Sequence, residues 1–229
     1  MMSSNSSIEI ELSKHGNNLY IFFGGIAAGI NMPPFEFYNS AKIIDENKIF
    51  LRDFSQSWYH SGLPNISRDV TSTADYIYQQ IEKIKPNKIF FVGNSMGGYA
   101  AIMFANLIGM GEAIAFAPQT FISPYLRLKH KDSRWREEIY TSFIKCIFKR
   151  KMWDLKHLLH NADGSQKVSI FVSKHEHLDY VHANHLREIA GVHIYDFESG
   201  GHGVVKLLRD EGKLPSIMAG AYIHESQVT

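Results

Sequence analysis

Ile89-Phe90-Phe91-Val92-Gly93-Asn94-Ser95-Met96-Gly97-Gly98-Tyr99-Ala100-Ala101 is the stretch that decides the fold. Its first four residues are β-formers without a polar position, as in a strand covered on both faces, and a helix-like run follows the second glycine. A serine that must project its Oγ from the tip of a strand needs a sharp, strained turn, so the positions two before and two after it must be small. Gly93 and Gly97 meet that need. The following helix points its N-terminus at Ser95, where free backbone N–H groups and the helix dipole favour developing negative charge. The N–H of Met96 is the expected donor. The same five-residue pattern also occurs as an ordinary turn, and the strand before with the helix after favours a nucleophile elbow.

Outward from this point, short β-rich runs recur at Ile8 to Leu12, Leu19 to Phe23, Lys48 to Leu51, Ala113 to Phe116, Val168 to Val172 and Val192 to Tyr195. Between Lys48–Leu51 and the elbow strand, Val70, Ala74, Ile77, Ile81 and Ile84 are spaced four, three, four and three apart, which makes one apolar stripe of a helix. Pro86 and Asn87 stop it. Helices are also expected at Met96 to Ile108, from about Val181 to Ile189, and at Val204 to Arg209. Strand, helix, strand is the grammar of a right-handed parallel sheet. The segment 118–166 is too long for a simple crossover and carries an amphipathic run at Arg134 to Cys146 and a shorter one at Trp153 to Leu159. It is expected to be a helical cap over the site, the alternative being a pair of surface helices on the sheet.

The chain has 229 residues, 45% hydrophobic and 21% charged, enough for one domain with a substantial core. Its 24 basic and 23 acidic side chains nearly cancel, so no global field draws it to nucleic acid or to an anionic membrane surface. Cys146 is the only cysteine, which rules out an intrachain disulfide and is compatible with a reducing compartment. Met1 to Ser7 is polar, lacks the basic start and apolar core of a secretory signal, and reads as a frayed tail. The apolar run from Ala100 to Ala117 is interrupted by Asn106, Gly109, Gly111 and Glu112, so no transmembrane segment is expected. The expected setting is cytoplasmic.

A serine nucleophile needs a base to take its proton and an acid to orient that base. Of twelve histidines, His202 stands out in Ser199-Gly200-Gly201-His202-Gly203, just after a strand, where flanking glycines let the backbone bend its imidazole toward a site. A solvent-exposed turn histidine is the plain alternative. The acid should follow Val168 to Val172, and Asp179 is favoured because the helix expected from Val181 leaves it in the loop at the strand's C-terminal end. Glu176 is the reserve. The second oxyanion donor is expected in Phe22-Phe23-Gly24-Gly25-Ile26-Ala27, from the N–H of Ile26 with Gly25 as the close alternative.

The strand-Gly-Gly loop, the Gly-Asn-Ser-Met-Gly-Gly elbow, the post-strand aspartate and the Gly-His-Gly loop together resemble the α/β-hydrolase family over Leu19 to Arg209. The resemblance implies an α/β fold: a mostly parallel central sheet of about eight strands flanked by helices, with a small helical insertion after the sixth strand. It also implies an acyl-serine intermediate and no metal or organic cofactor. The elbow followed by Tyr-Ala-Ala is typical of small esterase, thioesterase and acyltransferase-like members. No His-Gly-Gly-Gly run precedes it, which departs from the lipase type.

Two other functions fit parts of the chain. His175, His177 and Asp179, with His182 and His185 beyond, form half of a metallo-hydrolase ligand set, but Tyr180 stands where a third histidine would be expected and zinc would leave the elbow unexplained. A hydrolase-like fold can also serve only to bind a partner, although such a module has no need to keep all three triad types in order. For substrate, Asp53 to Gly62 follows a strand and offers Trp58 and Tyr59 either as aromatic faces suited to a sugar or aryl group or as core packing. The expected substrate is a small-molecule carboxylic ester of modest size, with an O-acyl group on a carbohydrate as one form; an acyltransferase or thioesterase would use the same triad.

Overall fold

The computed structural model describes residues 6–26, 35–145, 152–160 and 166–220. Its β-rich runs become seven strands: β1 (Ile8–Glu11), β2 (Leu19–Phe23), β3 (Asn47–Leu51), β4 (Ile89–Asn94), β5 (Glu112–Phe116), β6 (Lys167–Ser173) and β7 (Val192–Phe197). They form one sheet in the order β1-β3-β2-β4-β5-β6-β7, parallel throughout except for β1, which lies antiparallel on β3. The described residues thus hold seven strands where about eight were expected. β2, β3 and β5 are buried along all or nearly all of their length, as strands covered by helices on both faces must be.

Among the described residues eight α-helices accompany the sheet: α1 (Val70–Ile84), α2 (Met96–Ile108), α3 (Pro124–Lys129), α4 (Arg136–Lys145), α5 (Leu155–His160), α6 (His177–His185), α7 (Val204–Asp210) and α8 (Leu214–Met218). None is long and apolar enough to cross a membrane among the described residues. The stripe of α1 buries Val70, Ile77 and Ile81, and Asp69 opens the helix through a reciprocal cap with Ser72. One core joins α1, α2 and α5 to one face of the sheet; a second joins Phe35, Phe37, α7 and α8 to the other.

The frayed tail expected at residues 1–7 falls mostly outside the described residues. Ser7 is not frayed: it is buried, and its carbonyl accepts from Arg52 N–H at 2.9 Å. The insertion, α3 to α5, follows the fifth strand rather than the sixth, because the sheet carries one strand fewer than expected. Part of it is built into the fold. Trp153, Leu155 and Leu159 are buried in the core that contains α2, and Leu155 N–H donates to Thr120 at 3.0 Å.

A buried histidine ties the insertion to α6. His182 is wholly buried; Thr120 N–H donates to its Nδ1 at 3.1 Å, so Nε2 carries the proton and donates to Asp132 Oδ2 at 3.0 Å. Burial lowers the His182 pKa to about 4 against the pull of Asp132. Burial would raise Asp132, but hydrogen bonds from His182 and Arg134 and the charges of Arg134 and Arg127 hold it well below the usual carboxylate range.

The glycines of the elbow are fixed by close backbone approach. A Cβ on Gly93 would lie 2.1 Å from Gly97 O, and one on Gly97 would lie 2.2 Å from Phe23 O. Gly97→Ala is therefore expected to cost about 3 kcal/mol or more, lowering Tm by roughly 6–12 °C. At Gly109, where φ is +71° and no atom lies within 4 Å of a Cβ, the same change should cost only about 1 kcal/mol. Equal losses at the two sites in thermal melts would contradict this packing. His182 and Asp132 both bind fewer protons folded than unfolded, so both contribute stability that is lost on acidification. For His182 the loss should run from pH 6.5 down to about 4 and reach roughly 3 kcal/mol. Urea unfolding at pH 7, 5.5 and 4 checks it: His182→Gln should be less stable at pH 7 and show a flatter decline across that window.

Candidate active site

Ser95 stands between β4 and α2 with φ 56° and ψ −118°, a conformation that costs on the order of 1–3 kcal/mol for a residue with a side chain. Its surroundings over-determine it. Ser95 N–H donates to Phe116 O at 2.9 Å, while its carbonyl accepts from Tyr99 N–H at 3.1 Å and Gln119 N–H at 3.3 Å. The ends of β2 and β4 are in register, with Phe23 opposite Gly93, and Asn94 is opposite Phe116 on β5. The chain order reverses at β2 and β4, and the crevice beyond such a reversal is where α/β sheets place ligands.

His202 lies in a short 3-10 turn, Gly201–Gly203, entered through Gly200 at φ 102°. Its Nδ1 is 2.7 Å from Asp179 Oδ2. Asp179 is fully buried and sits in the first turn of α6, not in the preceding loop as expected, because the helix starts at His177 rather than near Val181. Glu176, the reserve acid, is the residue just before that helix, and it is Asp179 that meets His202. Burial would raise the Asp179 pKa; the hydrogen bond and charge of His202, followed by those of Arg134, outweigh it and hold the carboxyl below its ordinary value. Arg134 Nη1 donates to Asp179 Oδ1 at 2.6 Å. Nothing local in the sequence marks Arg134 for this contact, since it reads as the polar start of an amphipathic helix.

Glu36 is a second residue that sequence did not single out. Its Oε2 accepts from Gly25 N–H at 2.6 Å and its Oε1 from Asn94 Nδ2 at 3.2 Å, so one carboxylate joins the loop after β2 to the elbow after β4. Burial raises its pKa, opposed by those two hydrogen bonds and by the nearby His202. The only hint in the sequence is an acid enclosed by Phe35 and Phe37. Gly25 N–H is thereby occupied, whereas the N–H groups of Ile26 and Met96 have no partner among the described residues. Ala27, the last residue of the Gly-Gly loop, lies outside them.

Trp58 and Tyr59 do not line an open pocket. Both are fully buried, Trp58 Nε1 donating to Gln119 Oε1 at 2.8 Å and Tyr59 OH lying 3.1 Å from the carbonyls of Gly24 and Leu51. Their loop turns inward because the carboxylate of Asp53 accepts from the N–H groups of Ser55, Ser57 and Tyr59 at 2.7–2.9 Å, holding Trp58 and Tyr59 at φ 52° and 63°. Two residues adjoining Ser95, Asn94 before it in the chain and Gln119 whose N–H bonds its carbonyl, each carry a buried polar atom without a partner among the described residues, Asn94 Oδ1 and Gln119 Nε2.

The histidines that suggested zinc are drawn apart. His175 reaches Glu198 at 3.3 Å, His182 is held by Asp132, His185 lies 2.7 Å from Asp154, and Asp179 serves His202. No group of three or more His, Cys, Asp or Glu side chains with metal-holding geometry occurs among the described residues.

The same architecture recurs in solved structures. The capsule O-acetyltransferase of Neisseria meningitidis serogroup A matches at 16% identity and TM-score 0.64, over 90% of each chain. A thermophilic esterase of Thermogutta terrifontis, Est2, solved with butyrate bound, matches at 16% identity and TM-score 0.61, over 95% of this chain and 88% of that one. FphF of Staphylococcus aureus, a fluorophosphonate-binding serine hydrolase solved with substrate bound, matches at 16% identity and TM-score 0.56, over 83% and 84%. No curated protein matches the chain. These likenesses establish the α/β-hydrolase fold. A family model described as "Uncharacterised protein family (UPF0227)" matches residues 40–192, more than half of the sequence, and the chain belongs to that family.

Proposed function

We propose that the protein is a serine hydrolase acting on a carboxylic ester of modest size, with Ser95 as nucleophile, His202 as base and Asp179 as the acid that orients it. The observation that carries this is the 2.7 Å contact between His202 Nδ1 and a fully buried Asp179, which leaves Nε2 without a partner among the described residues, in a protein whose strained Ser95 stands at the start of α2. Ser95 Oγ attacks the ester carbonyl as its proton passes to His202 Nε2; the C–O bond then breaks and the alcohol leaves with that proton. Water repeats the sequence on the acyl-serine and releases the acid. The N–H groups of Met96 and Ile26, without a partner among the described residues, are the donors for the oxyanion, and the occupied N–H of Gly25 is not.

The likeness to an O-acetyltransferase favours a second form of the same chemistry, in which an alcohol takes the place of water. In the hydrolytic form, one ester that fits is an O-acyl group carried by a carbohydrate. The insertion, which supplies Arg134 to the triad acid, is proposed to border the substrate site as a cap. The single cysteine fits a cytoplasmic setting.

A fluorophosphonate probe should label the purified protein but not Ser95→Ala, and Asp179→Asn should slow labelling by about 10⁴-fold through the wrong imidazole tautomer. Equal labelling of native protein and Ser95→Ala would sink the proposal. With p-nitrophenyl acetate as acyl donor, product analysis in water and in the presence of glycerol or a monosaccharide separates the two forms. A hydrolase yields acetate regardless of the alcohol, whereas an acyltransferase yields mainly the new ester.

A further inference from the structure

Asp179 has a hydrogen-bond partner on each oxygen, one of them a cation, and almost no exposure to solvent. Oδ2 meets His202 at 2.7 Å, Oδ1 meets Arg134 at 2.6 Å, and the carboxyl side chain is 1% exposed, so water cannot take the place of either. With one partner on each oxygen, the carboxylate cannot rotate without breaking a charge-assisted bond. Arg134 comes from the insertion and is itself held. Its Nε donates to Asp132 Oδ1 at 3.1 Å and its Nη2 to Asp132 Oδ2 at 3.2 Å, a fork on one carboxylate that leaves Nη1 to reach the other. Arg127 holds the arrangement from behind, donating to Asp132 Oδ2 at 3.5 Å and to the carbonyl of Arg134. Asp132 in turn receives His182, fixed by Thr120, and the neighbouring Gln119 N–H reaches the carbonyl of Ser95.

We infer that Arg134 is a positioning residue of the triad: it fixes the Asp179 carboxylate for His202 and, as a cation on the far oxygen, weakens the negative field that Asp179 places on the imidazole. This rests on the proposed roles of Ser95, His202 and Asp179. A lysine cannot do both jobs, because one ammonium cannot fork a first carboxylate while presenting a third nitrogen to a second. Arg134 would therefore act on two separable quantities, the orientation of the base and the pH at which the base becomes available.

Arg134 is not the only charge near His202. Asp179 touches it from α6, and Glu36 feels it from the segment packed by the Gly-Gly loop. Lys174 and His175, at the end of β6, are taken up by Asp196 and Glu198, and Lys206 on α7 is exposed. On the far side of Asp179 stand Asp132, Arg127 and His182.

The test follows the rate of fluorophosphonate labelling against pH in the full chain for native protein, Arg134→Gln and Arg134→Lys. In Arg134→Gln the acid limb should move up by about one pH unit and the plateau rate should fall about tenfold or more. In Arg134→Lys the limb should stay within about 0.3 unit of native while the plateau is intermediate. An unmoved limb in a folded Arg134→Gln would overturn the inference, since a merely structural role lowers the rate without moving the limb. Should Arg134→Gln fail to fold, Arg134→Met, which keeps the apolar stem and removes the charge, is read by the same criterion, and a plateau in Arg134→Lys equal to native overturns the inference in either case. Absence of labelling in native protein marks failure of the proposed function instead. NMR titration of the His202 imidazole, assigned by its absence in His202→Ala, then reads the shift directly, and an identical titration in native and Arg134→Gln proteins overturns the inference independently of activity.

Discussion

The fold of the site depends on one steric constraint, the approach of Gly97 to the carbonyl of Phe23, where a Cβ would lie at 2.2 Å. It brings the start of α2 against the end of β2, so the elbow and the Gly-Gly loop face each other across a gap too narrow for any side chain. The bond from Gly25 to Glu36 and the bond from Asn94 to Glu36 span the same gap. Held between those limits, the N–H groups of Ile26 and Met96, which have no partner among the described residues, have little freedom to drift apart. Preorganised donors of this kind are worth more to acyl transfer than donors that must be assembled during reaction.

A second layer of organisation is electrostatic. Asp179, Arg134, Asp132, Arg127 and His182 form a buried chain in which every charged group has an opposite or hydrogen-bonding partner. Removing one member of such a set leaves an uncompensated charge in the interior, commonly at a cost of about 3–5 kcal/mol. The neutral tautomer of His182 lets the chain end without a further charge. The insertion is consequently bonded into the site as well as packed on the core through Trp153, Leu155 and Leu159.

What could be read from the sequence was governed by the range of each interaction. The elbow, the helix at Val70–Ile84 and the strand at Leu19–Phe23 are set by adjacent residues and periodicity, and their bounds are legible to within a residue or two. The pairing of Asp179 with His202 was legible as chain order and loop position, but the start of α6 was not, since His177 and Leu178 carry no N-cap signal. Trp58 and Tyr59 were ambiguous because the same aromatic surface serves a core or a pocket, and Asp53, five and six residues away, settles which. Glu36 and Arg134 act through contacts 58 and 45 residues distant, and a lone acid or a lone arginine carries no local mark of such a partner.

The helix that follows Ser95 is buried without a break from Met96 to Ala105. Such a helix has no solvated side along which to fray or slide, and its amides open only with the most cooperative part of the molecule. Ser95 is thus mounted on one of the stiffest parts of the fold. On the proposed function, admission of substrate and exit of product fall to the surrounding segments, and the timing of those steps is set by parts of the chain that carry none of the bond-making groups.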